Sequence, residues 1–302
     1  MKKFSNIFKN IMEGILEQEP LIHCITNPIS IHDCANVVLA VGARPIMAEH
    51  PREVREITAG AKALALNIGN ITDARMESVM ISGREAAERG IPTVLDMVGI
   101  GCSRIRKELV LDFLRQREGI NVQAPLILKG NMSEVKALWT EKGREEVHTD
   151  GVDVRNSDVL TAENEAETIR VITDLAAAHH GVILATGKTD VVTDGTKVYL
   201  AENGCPAMSQ ITGTGCMLTV LTAAYASQNK TAKMCTAPEG RGMEYLTEAA
   251  LLAAVVSGIC GERAAEEWKG TGTFQVRLMD EFSRCTWEIV EKYRKVREWN
   301  EK

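Results

Sequence analysis

The chain has no Cys-x-x-Cys pair, no basic run, no Gly-Lys-Ser/Thr phosphate loop and no apolar stretch long enough to cross a bilayer. Its eight cysteines lie far apart and no histidine stands at zinc-finger spacing, so they read as free thiols of a reducing, cytoplasmic compartment. Acidic and basic residues are mixed along a chain of net charge −6, which argues against nucleic acid or an anionic membrane as partner. The longest apolar run, Ala249 to Cys260, falls well short of the roughly 20 residues a membrane helix needs. The opening segment looks briefly like a signal peptide, but Phe4, Ile7, Phe8, Ile11, Met12, Ile15 and Leu16 recur at helical spacing, so an amphipathic helix is the better expectation. Aromatics are few, at 4%, and neither repeats nor low-complexity tracts occur, which excludes solenoids and arrays.

What is present is a globular composition, 45% hydrophobic and 25% charged over 302 residues, with no Pro/Gly linker to divide it. A single domain over residues 1–302 is expected. Short β-rich runs alternate with longer helical patterns, the mark of parallel strands joined by crossover helices. The expected strands are Leu21–Ile25, Arg44–Met47, Ala63–Ile68, Pro92–Asp96, Pro125–Lys129 and Val182–Thr186. Val191–Leu200 breaks the pattern: two β-rich runs flank Asp194-Gly195, so an antiparallel hairpin on the sheet edge is expected. A long Ala-rich helix from about Met243 to Trp268 and a last amphipathic helix from about Phe274 follow. The fold class is α/β, a mainly parallel central sheet flanked by helices. In such sheets ligands lie beyond the carboxyl ends of the strands, so the turns after Thr26, Asn67, Asp96, Lys129 and Thr186 should line one crevice.

Three segments carry chemistry. Thr212-Gly-Thr-Gly-Cys216 opens an apolar helix, and the free amides of a helix start suit an anion; an ordinary glycine turn explains the same letters. Lys129-Gly-Asn-Met-Ser-Glu134 follows an apolar strand. It reads either as a capping box of Asn131 and Glu134 or as a magnesium and phosphate site, and spacing does not separate the two. Asp96 ends a strand and is followed by two glycines, a place for a ligand or a helix cap. The six histidines form no metal set and read as structural or solvent-facing.

Together these segments resemble hydroxyethylthiazole kinase, the thiamin-salvage family of the ribokinase-like superfamily. The matching pieces are Pro20–Asn27, Asp33–Asn36, Gly42–Ala48, Leu66–Gly69, Leu95-Asp96 with Val98-Gly99, Lys129–Asn131 with Glu134, Ala185–Gly187, Thr212–Cys216 and Gly272–Gln275. They run in order from about residue 20 to 280. A cysteine ends the glycine motif where most of the superfamily has Asp. The resemblance implies ATP- and Mg2+-dependent phosphorylation of hydroxyethylthiazole by a ribokinase-like homotrimer. It places Cys216 at the catalytic position, Met47, Gly213 and Asn27 toward the thiazole, and Lys129 and Thr186 toward the nucleotide. It gives Asp96 and Glu134 to the metal and phosphate end, and an anion hole to Gly213, Thr214, Gly215 and Cys216. A helix start also suggests partial thiolate character for Cys216. Met97 replaces a usual Pro, Thr214 a common Ala, and Lys129 a common Arg; residues 150–167 match poorly and read as a variable surface stretch. The alternatives are a kinase of the same fold for a hydroxymethylpyrimidine, pyridoxal or sugar alcohol, or a catalytically idle nucleotide-binding protein.

Overall fold

The structure, a computed structural model, describes residues 2–139, 160–161, 163–228, 241–266 and 269–300; nothing is said of the side chains of 2–5 and 241. Six strands run parallel: β1 Leu21–Ile25, β2 Arg44–Ile46, β3 Ala63–Asn67, β4 Thr93–Asp96, β5 Leu126–Asn131 and β6 Val182–Thr186. Three antiparallel strands complete the sheet, β7 Asp190–Thr193, β8 Val198–Ala201 and β9 Val296–Glu298, in the order β2-β1-β3-β4-β5-β6-β7-β8-β9. The expected hairpin is β7–β8, and one further strand lies outside it. Val-Arg-Glu is too short and too charged to stand out as a strand, and it pairs because the chain returns along β8. Much of residues 150–167, and Trp268, lie outside the described residues.

Helices α3 Val54–Gly60, α4 Asp73–Arg89, α5 Arg104–Asn121, α6 Met132–Trp139 and α7 Glu165–Ala178 cover one face of the sheet. The other face is covered by α1 Lys2–Gln18, α2 Ile31–Ala40, α8 Thr214–Ala226, α9 Arg241–Ala265, α10 Thr271–Arg284 and α11 Trp287–Tyr293. The amphipathic start is thus a helix whose Phe8, Ile11 and Ile15 are buried, and the last amphipathic segment is two helices rather than one. α9 is long and apolar enough to cross a membrane by length and composition, but 83% of its apolar window is packed inside the fold, as in a core helix.

Side chains of a strand alternate between the faces. Leu64, Leu66, Leu95 and Leu128 enter the α3–α7 layer; Ala63, Ala65, Val94 and Ile127 face α8 and α9. At the carboxyl ends the α8-facing row turns polar in register: Asn67 pairs with Asp96, and Asp96 with Lys129. The strand order reverses between β1 and β3, the switch point where open α/β sheets form their crevice.

Candidate active site

Asp96 is fully buried, and three donors meet its Oδ2: Asn67 Nδ2 at 2.7 Å, Lys129 Nζ at 3.0 Å and Thr219 Oγ1 at 2.7 Å. Its Oδ1 is buried and has no hydrogen-bond partner among the described residues. Lys129 also donates to the Gly215 carbonyl at 3.1 Å, tying β5 to the first turn of α8. Burial alone would lower the ammonium's pKa, but Asp96 and Glu134 outweigh it and the net shift is upward, so the cation is secure.

α8 begins at Gly213, whose φ of +90° is left-handed; a side chain there would place its Cβ 3.0 Å from Ser30 Cβ. The amides of Thr214, Gly215 and Cys216 belong to the first turn, where no preceding carbonyl of the helix can accept them. Free amides at a helix start suit an anion, and these lie beside the Lys129 ammonium, whose nitrogen is 3.1 Å from where a Gly215 Cβ would stand. Thr214 fills the position with its hydroxyl on the Met208 carbonyl at 3.2 Å.

Cys216 is half-buried in that same turn, and Asn67 Nδ2 lies 3.4 Å from its Sγ. Burial, with Asp96 adding to it, pushes the thiol pKa up despite hydrogen bonds from Ser30 and Asn67 and the Lys129 charge. The helix start therefore does not make Cys216 a resting thiolate, because loss of water around the sulphur outweighs the positive groups.

Glu134 realises the capping box in full. The Glu134 amide donates to Asn131 Oδ1 at 2.9 Å, and Glu134 Oε2 accepts from the Asn131 amide at 2.7 Å. Oε1 accepts from the Gly99 amide at 2.8 Å, which locks the turn after Asp96 to α6. Burial first, then the nearby Asp96, lifts its pKa to about 7 against these bonds and Lys129. Met97, in the place of the family's usual Pro, uses the amide that a proline lacks: it donates to the Lys129 carbonyl at 2.8 Å and extends the β4–β5 ladder.

Thr186 stands opposite Asn131 in the β5–β6 register, and its hydroxyl donates to the Gly130 carbonyl at 3.3 Å. Beyond it Asp190 accepts from the Gly187 amide at 2.9 Å, and burial pushes its carboxyl up to about 7. On the other side of the crevice Asn27 shapes the turn after β1, its Oδ1 accepting from the Ile29 amide at 3.1 Å. Met47 is half-buried against the α8-side core just after β2. The next two residues are pinned: His23 Nε2 lies 2.9 Å from the Ala48 carbonyl, and Arg75 pairs with Glu49 at 2.6 Å. Burial lowers the His23 pKa, which suits a structural histidine.

The structure thus brings Asp96, Lys129, Glu134 and the Gly213–Cys216 turn into one network, with Thr186 at its β6 side and Asn27 and Met47 on the turns after β1 and β2. Sequence reasoning assigned no role to Asn67, Ser30 or Thr219. The available signal for Thr219 was its spacing: three residues after Cys216, it is a polar position inside an apolar helix and shares that residue's side.

This architecture is the ribokinase-like kinase fold. A ribokinase-like superfamily protein from Enterococcus faecalis aligns over 91% of this chain and 94% of its own with a TM-score of 0.54; at 12% identity the likeness concerns the fold alone. Hydroxyethylthiazole kinase 2 of Clostridium botulinum strain Langeland is 43% identical over 282 residues, 93% of this chain and 97% of that protein. The solved hydroxyethylthiazole kinase of Pyrococcus horikoshii OT3 is 30% identical, has a TM-score of 0.79, and aligns over 98% of this chain and all of its own. The model of the hydroxyethylthiazole kinase family matches residues 12–288, and the chain belongs to that family.

Proposed function

We propose that the protein transfers the γ-phosphate of ATP to the hydroxyethyl group of 4-methyl-5-(2-hydroxyethyl)thiazole in thiamin salvage. The observation that carries this reading is the meeting of a buried Lys129–Asp96 pair with the amide-rich start of α8 and the Cys216 sulphur, a site for a phosphoryl group next to a proton acceptor. Phosphoryl transfer asks for positioning and charge neutralisation rather than a covalent enzyme intermediate. In the direct in-line step the alcohol oxygen bonds to the γ-phosphorus as the bond to the ADP oxygen breaks, and the hydroxyl proton passes to the minor thiolate form of Cys216, while the thiol form only orients the hydroxyl through Sγ. The amides of Gly213, Thr214, Gly215 and Cys216 hold the transferring oxygens. Lys129 and Thr186 serve the nucleotide, and Asn27, Met47 and Gly213 the thiazole.

Magnesium arriving with the nucleotide would neutralise phosphate charge. The residues fit such an ion: Asp96 Oδ1 is a buried carboxylate oxygen without a donor among the described residues, beside Glu134. Both oxygens of Glu134 accept backbone amides, so Glu134 would serve the ion through its water shell. We further read the protein as a cytoplasmic homotrimer, with Asn27 and Met47 at the crevice edge near a subunit boundary; a light-scattering mass of one chain in an active preparation contradicts the trimer. A panel of hydroxyethylthiazole, hydroxymethylpyrimidine, pyridoxal and ribose with ATP tests the substrate. The reading expects the thiazole alcohol to have the highest kcat/KM by at least tenfold, and preference for another alcohol overturns it.

A further inference from the structure

Asn67 ends β3 on the face covered by α8, between Asp96 of the neighbouring strand and Cys216 of the helix. Its surroundings tell the two ends of the amide apart. Oδ1 lies 2.9 Å from the Gly69 backbone nitrogen, which can only donate. The nitrogen end then faces two acceptors, Asp96 Oδ2 at 2.7 Å and Cys216 Sγ at 3.4 Å, and it has one proton for each.

Gly69 is itself fixed, since its carbonyl accepts from Arg106 Nη2 at 2.7 Å. The same guanidinium reaches the Val98 carbonyl at 3.3 Å, in the peptide unit whose Gly99 amide binds Glu134. Arg106 therefore straps the turn after Asn67 to the turn after Asp96, and the Asn67 amide has little freedom to rotate. Two other groups face the sulphur: Lys129, which spends two of its three protons on Asp96 and the Gly215 carbonyl, and the Ser30 hydroxyl, shared with the Asn27 carbonyl at 3.3 Å. Asn67 differs from both in holding the sulphur and Asp96 Oδ2 with the two protons of one planar amide.

We propose that Asn67 is a positioning residue that holds the Cys216 sulphur and the Asp96 carboxylate at a fixed separation and keeps the sulphur a hydrogen-bond acceptor toward the reacting hydroxyl. The inference rests on the role proposed for Cys216. It predicts a loss in kcat with little change in KM, because the amide's polar atoms are taken up by Asp96, Cys216 and Gly69 and act on the geometry of the reacting step.

The test is a kinetic cycle. Asn67→Ser keeps a polar group on Asp96, but a single hydroxyl proton cannot serve both acceptors; Asn67→Ala removes both bonds. Each is combined with Cys216→Ala, and kcat and both KM values are measured. Asn67→Ser is expected to lower kcat by roughly 10- to 100-fold, the effect of losing one hydrogen bond to a group carrying developing charge, with KM within about threefold. In the Cys216→Ala background the same change should cost less than about threefold more, because interacting residues fail to add. Full kcat in Asn67→Ser and Asn67→Ala, or losses that multiply with Cys216→Ala, overturn the proposal while leaving Cys216 in place. A silent Cys216→Ala overturns the base assignment, and the proposal with it.

Discussion

Lys129 and Asp96, paired across β4 and β5, form a 3.0 Å ion pair between two side chains closed to solvent. Removing one member of such a pair strands the other charge without water, which costs far more than the pair contributes. Lys129→Met is therefore expected to destabilise the fold by about 3–5 kcal/mol. Urea unfolding of the two proteins measures it. A loss below about 1 kcal/mol would mean that water reaches the pair in the parent.

Glu134 carries both a structural and a proposed functional role, and one variant separates them. Its folded-state value of about 7 lies above the ordinary 4.5, so the folded protein binds this proton more tightly than the unfolded chain. The carboxyl's contribution thus favours folding below about pH 4.5 and is lost as pH rises through 7. From pH 5 to 8 the parent should lose stability relative to Glu134→Gln, as read by thermal unfolding across that range. The same variant should show sharply lower turnover and a raised magnesium requirement. A cap alone would instead cost about 1 kcal/mol with kinetics unchanged.

Gly213 is tested by adding one methyl group. Its φ of +90° disfavours any L side chain, and the new Cβ would press on Ser30, which hydrogen-bonds Cys216. Gly213→Ala should cost about 1–2 kcal/mol of stability and lower turnover more than ATP binding. Calorimetry and nucleotide titration on the variant check the two parts.

Much of this arrangement was legible in the sequence, for reasons particular residues make plain. Asp96 and Lys129 stand out because each interrupts an apolar strand at its carboxyl end, and the glycine pair before Cys216 marks a helix start. Asn67 ends its strand in the same way, yet its partner in the sequence is 149 positions away, and only the register of β3 beneath α8 joins it to Cys216. Thr219 shows in the sequence only as a polar position in an apolar helix, three residues after Cys216. The thiol's raised pKa was not readable either, since a helix start favours the anion and only the packed surroundings show that burial prevails. Strand β9 escaped notice because its pairing depends on where α11 releases the chain.

Cys216 has a two-way test. As a proton acceptor, its replacement by Ala should lower kcat by roughly a hundredfold or more, with weaker effect on ATP binding. Because burial raises the thiol pKa, the parent's kcat should keep climbing through the alkaline range, above the ordinary thiol value of 9.0. Cys216→Asp should retain activity and lose that climb, its carboxylate being ionised at neutral pH. Full turnover in Ala with loss in Asp would mark a packing residue instead.

The most direct measurement is the product itself. The purified protein is incubated with ATP, magnesium and hydroxyethylthiazole, and the mixture is followed by 31P NMR and mass spectrometry. The account predicts a phosphate monoester of the thiazole alcohol formed in equal amount to ADP, with none when ATP is omitted. ATP bound but not consumed, or ADP released without the thiazole phosphate, would contradict it.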